Sequence, residues 1–398
     1  MQIIPVSNKK TFRQFLDLPR TLYRNDSNYV LPFDSELEKA FNRKVNPYFS
    51  HGDARRWIAV DGTGQVVGRI AAFYDQVKDA SDYVRSGGCG FFESVNNREV
   101  AFLLFDTARD WLKEHGYEAM TGPINFGEND TNWGCLVHGF MPQAIGMTYN
   151  FPYYRELFES YGFQLYYRQY SFHLDIVKPF PERFWKIAAW VNQRQGYSFK
   201  HFDNKQVAKF VDNTVTIYNA AWSQLKADFT PMDPASLYDE LRKIKSIMDP
   251  EMIWYAYYDD KPIAFFMFLP DANQIFRHLN GKLHLLNKLR YLRYKKNKTI
   301  TRARGTAAGV VPKFQNSGVE SGIFYELRKV MDTKPQYTEF ELSWVGDFNP
   351  KMLSLYQNTG AQHTKTHHTY RYLFEKNKSF KRYMEEALDE SKLPDREN

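Results

Sequence analysis

Gly309-Val310-Val311-Pro312-Lys313-Phe314-Gln315-Asn316-Ser317-Gly318-Val319-Glu320-Ser321-Gly322 is the stretch whose reading decides the fold. Ile300 to Val311 reads as an extended segment leading into it. Beyond it Ile323, Leu327 and Val330 recur at helical spacing, with Phe324 and Tyr325 beside that stripe. A small, glycine- and serine-containing loop therefore joins a strand to a helix. Such a loop can aim several backbone N–H groups, and the positive end of the helix dipole, at an anion. Glycine lets a phosphate approach the backbone with no side chain in the way.

Downstream, Phe340-Glu341-Leu342-Ser343-Trp344-Val345 reads as a strand. It is followed by Asn349, Met352, Tyr356 and Gly360-Ala361, spaced as Asn-x-x-Met-x-x-x-Tyr-x-x-x-Gly. Tyr356 then lies on a helix and Gly360 at its C-terminal cap.

Together these two segments resemble the signatures of the GNAT acyltransferase superfamily. Val310, Val311, Pro312, Gln315 and Gly318 fall on the acyl-CoA pyrophosphate loop, Val-x-Pro-x-x-(Arg/Gln)-x-x-Gly-x-(Gly/Ala). Asn349, Tyr356 and Gly360 fall on the second signature, Asn-x-x-Ala-x-x-x-Tyr-x-x-x-Gly-Phe. Glu320 departs from the pattern, standing where a small residue is expected. A carboxylate there repels a pyrophosphate unless its side chain turns outward.

The chain has 398 residues, which suits two domains better than one. No run approaches the roughly 20 apolar residues of a membrane span. Met1 to Pro5 carries no basic region leading into an apolar one, so no signal peptide is predicted. The two cysteines, Cys89 and Cys135, argue against a disulfide framework and fit a reducing cytoplasm. His367 and His368 are neighbours on a predicted strand and point to opposite faces, so they do not share a metal ion, and no metal is expected.

Order repeats along the chain. Leu157-Phe158 followed by Gly162-Phe163 mirrors Leu355-Tyr356 followed by Gly360-Ala361, and a strand follows in each case. The expected fold class is α/β (α+β): two tandem GNAT-like domains, each a mixed, mostly antiparallel sheet flanked by helices. The boundaries read as a degenerate first domain over 1–175, a linker over 176–182, an acyl-CoA-binding domain over 183–376 and a charged tail over 377–398. The first domain has no glycine loop between Phe92 and Asn97, hence "degenerate". Gly122 to Gly134 is a polar, glycine-punctuated loop that suits an acceptor pocket or a plain surface loop.

The resemblance implies a coenzyme A thioester as co-substrate, acetyl-CoA or longer. Backbone at Gly309, Val310 and Val311 is expected to hold pantetheine, and Gln315, Asn316, Ser317, Gly318, Val319 and Ser321 the pyrophosphate, with Asn349 on the cofactor or capping its helix. By the same resemblance Tyr356 protonates the departing thiolate. Glu341 is the candidate general base, since burial on an apolar strand raises a carboxyl into the useful range.

The formal net charge of +7 is local. Phe276 to Arg304 holds ten basic residues and no acid, leaving the rest of the chain at −3 (7 − 10). Leu279, Leu283 and Leu286, and again Leu285, Leu289 and Leu292, recur at helical spacing there. A basic amphipathic helix suits an anionic membrane surface, and bland packing of those leucines on the domain is the alternative. The first functional reading is an acyl-CoA-dependent N-acyltransferase with an amine acceptor, as in bacterial ceramide synthase-type relatives that use a sphingoid amine. It would be cytoplasmic and peripheral on the inner face of the membrane. The rival is a non-catalytic GNAT-fold protein binding membrane or, less favoured, nucleic acid through 276–304. Glu320 and Gln315 favour the rival; the Asn349–Tyr356–Gly360 spacing favours the enzyme.

Overall fold

The computed structural model describes residues 1–79, 83–129, 131–223 and 231–387. The first half contains β1 (Gln2–Pro5), α1 (Lys9–Leu22), α2 (Asp34–Ala40), β2 (Gly52–Val60), β3 (Val66–Asp75), β4 (Ser86–Ser94), α3 (Arg98–Glu114), β5 (Ala119–Gly122), β6 (Cys135–His138), α4 (Tyr154–Tyr161) and β7 (Gln164–Asp175). The second half contains α5 (Glu182–Gln193), β8 (Tyr197–His201), α6 (Val207–Trp222), α7 (Pro234–Ile244), β9 (Ile253–Tyr258), β10 (Lys261–Pro270), α8 (Asn273–Phe276), α9 (Leu285–Lys296), β11 (Arg302–Val310), α10 (Val319–Thr333), β12 (Glu339–Gly346), α11 (Pro350–Asn358), β13 (Gln362–Leu373) and α12 (Tyr383–Ala387).

Local chemistry sets many of these limits. Asn97 caps α3, its side chain accepting from the N–H groups of Glu99 and Val100. The β9–β10 hairpin turns on Asp259 and Asp260, both at positive φ, the conformation a two-residue primed turn needs. The strands form one mixed sheet in the order β1-β2-β3-β4-β5-β13-β7-β12-β11-β10-β9-β8, with β6 also on β13. Neighbours are antiparallel except β4 with β5 and β11 with β12.

The middle of that order was not foreseen. The last strand of each half crosses to the other: β13 pairs β5 (Tyr370↔Gly122), and β7 pairs β12 (Leu342↔Phe172). The two then pair with each other along most of their length. The halves divide along the chain but do not close in space. The expected 176–182 linker leads straight into α5, which sequence reading missed, as it missed α2, β1, β6 and β8.

Two large cores result. One packs α3 and α4 on β2–β5, around Leu104, Phe105 and Phe158. The other packs α5 and α10 on β9–β12, around Phe266, Phe268, Phe324 and Phe340. Tyr370 of β13 is fully buried and belongs to the first core, stacked 5.7 Å from Phe158. The part of the tail that is described is docked: Glu386 pairs with Arg371 at 2.7 Å and Tyr383 packs on Phe348 at 4.6 Å. The rest of the tail lies outside the described residues.

Because β13 completes the first core, Tyr370→Ala is expected to cost about 3–5 kcal/mol. Hydrogen exchange should show lost protection at β5, some 250 residues away (370 − 120). Unchanged protection there would contradict the crossed pairing.

Candidate active site

β11 and β12 run parallel and in register from Arg302↔Glu339 to Gly305↔Leu342, then separate. Beyond that point β11 stays bonded to β10 (Phe265↔Gly309, Ala264↔Val310). Likewise β12 stays bonded to β7 (Val345↔Tyr170). Each strand keeps its outer partner and opens on its inner side. The wedge-shaped gap between Thr306–Val310 and Ser343–Gly346 lies in a cleft of about 3820 Å³ that runs on into the first half. Unpaired strand edges of this kind present backbone donors and acceptors to a bound chain.

The loop quoted first closes one end of the gap. Asn316 and Gly318 stand at φ +64° and +81°. Gly318 is the N-cap of α10, and no side chain caps the helix there. A Cβ at Gly318 would come within 2.9 Å of Ile187 on α5, so glycine is needed on two counts. Gln315, Asn316, Ser317, Gly318 and Ser321 line the cleft, as do Gly309 and Val310. Val311 and Val319 do not: Val311 donates its N–H to Ile263, and Val319 is fully buried in the core.

Glu320 is also among the residues lining the cleft. Burial pushes its carboxyl up, while its own backbone N–H and the Lys351 ammonium pull the other way. Lys351 is the cation that sequence reading missed. It sits in the first turn of α11 and donates to the Gln315 side-chain oxygen at 2.8 Å. The positive charge absent from position 315 thus arrives from another helix, at a distance of 36 residues along the chain.

Tyr356 of α11 is 6% exposed and lines the cleft. Its ring meets Phe172 edge-on at 5.7 Å. Burial pushes the phenol well above its usual range, opposed by the Arg304 guanidinium, so it carries its proton at neutral pH. Arg304 donates to Ser343 Oγ at 2.7 Å, and both residues line the cleft. Neither had a sequence signal. Asn349 caps α11, accepting from the Met352 N–H at 3.2 Å; it lines the cleft too.

The rise expected for the Glu341 carboxyl is corrected. It is buried, as expected, but it is not among the residues lining the cleft. Burial alone would push its carboxyl up. Lys365 at 2.7 Å and Arg302 at 3.5 Å outweigh that and hold it below the ordinary range. A carboxylate so held is a weak proton acceptor. It serves an ion network that also includes Asp271, 2.7 Å from Arg302.

The equivalent gap in the first half is filled by its own chain. Ile124 donates to Cys89 beyond the end of the β4–β5 pairing, and a Cβ on Gly90 would lie 1.8 Å from the Ile124 carbonyl oxygen. The Ser94 N–H at the end of β4 is taken by the Tyr154 hydroxyl, which donates to Glu93. Phe158 stands where the repeat places Tyr356, and it is buried without a hydroxyl. The described part of the Gly122–Gly134 loop lines the shared cleft. Asn129 there accepts from the Trp344 indole at 3.1 Å, beside the open gap of the second half.

No family model matches the chain. A tandem GNAT protein from the clavulanic acid biosynthesis pathway superposes with a TM-score of 0.55, at 11% identity, over 95% of this chain and 99% of that one. A GCN5-related N-acetyltransferase from Sphaerobacter thermophilus gives 0.52, at 10% identity, over 95% and 98%. The chain has a tandem GNAT fold. It is similar to the bacterial ceramide synthase of Caulobacter vibrioides, 29% identical over 378 residues that cover 93% of this chain and 97% of the relative.

The ion network gives a pH test. Because the folded-state pKa of Glu341 lies below its unfolded value, its stabilisation is fully present above about pH 4.5 and is lost as pH falls through the folded pKa. Denaturant unfolding of Glu341→Gln should therefore lose part of the acid dependence that the parent shows below about pH 4.5. Catalysis that titrates with Glu341 near neutrality would overturn its structural role.

Proposed function

We propose that the protein is an acyl-CoA-dependent N-acyltransferase whose acceptor is a lipid amine. The observation that carries this is the open β11–β12 gap, with a glycine-capped anion loop at one end and a protonated tyrosine on its wall. The pyrophosphate would lie on the loop amides near Lys351, and the pantetheine chain along the free edge of β11. The thioester then falls between Thr306 and Ser343, beside Tyr356.

The amine nitrogen attacks the thioester carbonyl, a C–N bond forms, the C–S bond breaks, and the thiolate takes the Tyr356 proton. The proton lost by the nitrogen passes to the Tyr356 phenolate and restores the phenol, so amide and CoA thiol form with no outside acid or base consumed. Arg304 favours the transient phenolate. No carboxylate is assigned as the base.

The lipid acceptor rests on the similarity to a ceramide synthase and on the size of the cleft, whose walls include Phe265, Phe268, Trp222 and Leu241. A working place at the inner face of the membrane, reached through the basic segment 276–304, belongs to the same reading. Among the described residues no helix is long and apolar enough to cross a membrane. The rival non-catalytic reading loses weight because Lys351 stands in for the missing arginine.

Calorimetric titration with CoA, acetyl-CoA and palmitoyl-CoA should show binding by the parent protein. Lys351→Glu should weaken it about tenfold or more, the scale of one charge-assisted hydrogen bond. Silence with all three ligands would sink the reading. Tyr356→Phe should lower kcat about 10²-fold, the range of a lost general acid, with the KM for acyl-CoA little changed; an unaffected kcat would remove Tyr356 from the proton transfer.

A further inference from the structure

α9 is turned inside out. At about 100° per residue, Leu285, Leu286, Leu289 and Leu292 fall within an arc of about 120°. That arc faces solvent, with the four side chains 73%, 64%, 56% and 59% exposed. The opposite arc, Asn287, Tyr291 and Tyr294, faces the protein. Asn287 is buried and donates to the carbonyls of Leu279 and Lys282 at 2.7 and 2.8 Å. The Tyr291 hydroxyl donates to Ser246, and Tyr294 stacks on His278 at 4.8 Å. The leucines therefore do not pack on the domain, and Leu279, fully buried in the turn before the helix, is not part of their stripe.

Charge surrounds the leucines. Of the ten basic residues in 276–304, Arg302 is half-buried and Arg304 buried on β11. The other eight, Arg277, Lys282, Lys288, Arg290, Arg293, Lys295, Lys296 and Lys298, are all exposed. The segment has no acid to pair with them. The helix stands at the rim of the shared cleft, where Leu283, Lys288, Tyr291 and Leu292 form part of the wall.

We propose that α9 is a docking helix for an anionic bilayer: Leu285, Leu286, Leu289 and Leu292 enter the acyl boundary, the flanking cations meet lipid phosphates, and the cleft mouth is thereby set against the leaflet. The apolar arc needs an apolar partner, and the cationic border selects an anionic one. Docking itself does not need acyl transfer; that the bilayer supplies the acceptor rests on the function proposed above.

The test uses the full chain without substrate, by flotation with vesicles of phosphatidylcholine alone and with about 30% phosphatidylglycerol. The parent should float with the anionic vesicles and lose most of that binding at about 0.5 M salt. Changing Leu285, Leu286 and Leu289, none of which lines the cleft, to Gln should weaken binding at least about tenfold. Because these side chains are exposed, that variant should keep its fold and its acyl-CoA affinity in solution, which separates docking from the cofactor reading. Undiminished flotation of the variant, or no flotation of the parent, overturns the proposal. So does a dimer in analytical ultracentrifugation that the same substitutions dissolve, since it would give the face to a second copy.

Discussion

The antiparallel pairing of β7 with β13 holds the molecule together. Each strand ends one half of the chain and is bonded into the sheet of the other. Seven strands of the first half and six of the second become one sheet, and neither core is complete without a strand from across the divide. The shared cleft follows from this. The β11–β12 gap could stand open in a single unit, but its far wall, from Ile145 to Thr148 and along the loop to Trp133, belongs to the first half.

Under the gap the same crossing gathers charge. Lys365 arrives on β13, Glu341 on β12, Arg302 and Arg304 on β11, and Asp271 just past β10. Among the described residues three cations face two carboxylates in a buried setting, where breaking one partner costs far more than the pair contributes against an apolar replacement. Arg304 lies beside Ser343 and the Tyr356 phenol. The network thus orders the strands where they meet.

What could be read from the sequence was local. The glycine at 318 and the Asn349–Tyr356–Gly360 spacing each depend on a few adjacent residues. What could not be read depends on partners far apart. Lys351 reaches Gln315 across 36 residues. Burial of Glu341 was legible, but its sign of titration is set by Lys365, which spacing does not reveal. For α9, periodicity gave the leucine stripe and nothing about its direction. The orientation comes from Asn287 and Tyr291, whose polar atoms find backbone carbonyls on the protein side and leave the leucines no room there.

The crossed strands also set a timetable. During synthesis β5 emerges early, yet its neighbour β13 begins 240 residues later (362 − 122). At about 5–20 residues per second that interval is roughly 12–50 s. Throughout it the first half carries an open strand edge and a core lacking Tyr370, the kind of surface that invites pairing with another nascent chain. A fold that gains a two-walled cleft in the finished protein therefore exposes its first half to aggregation while it is being made, and leans on whatever shields nascent chains in the cell.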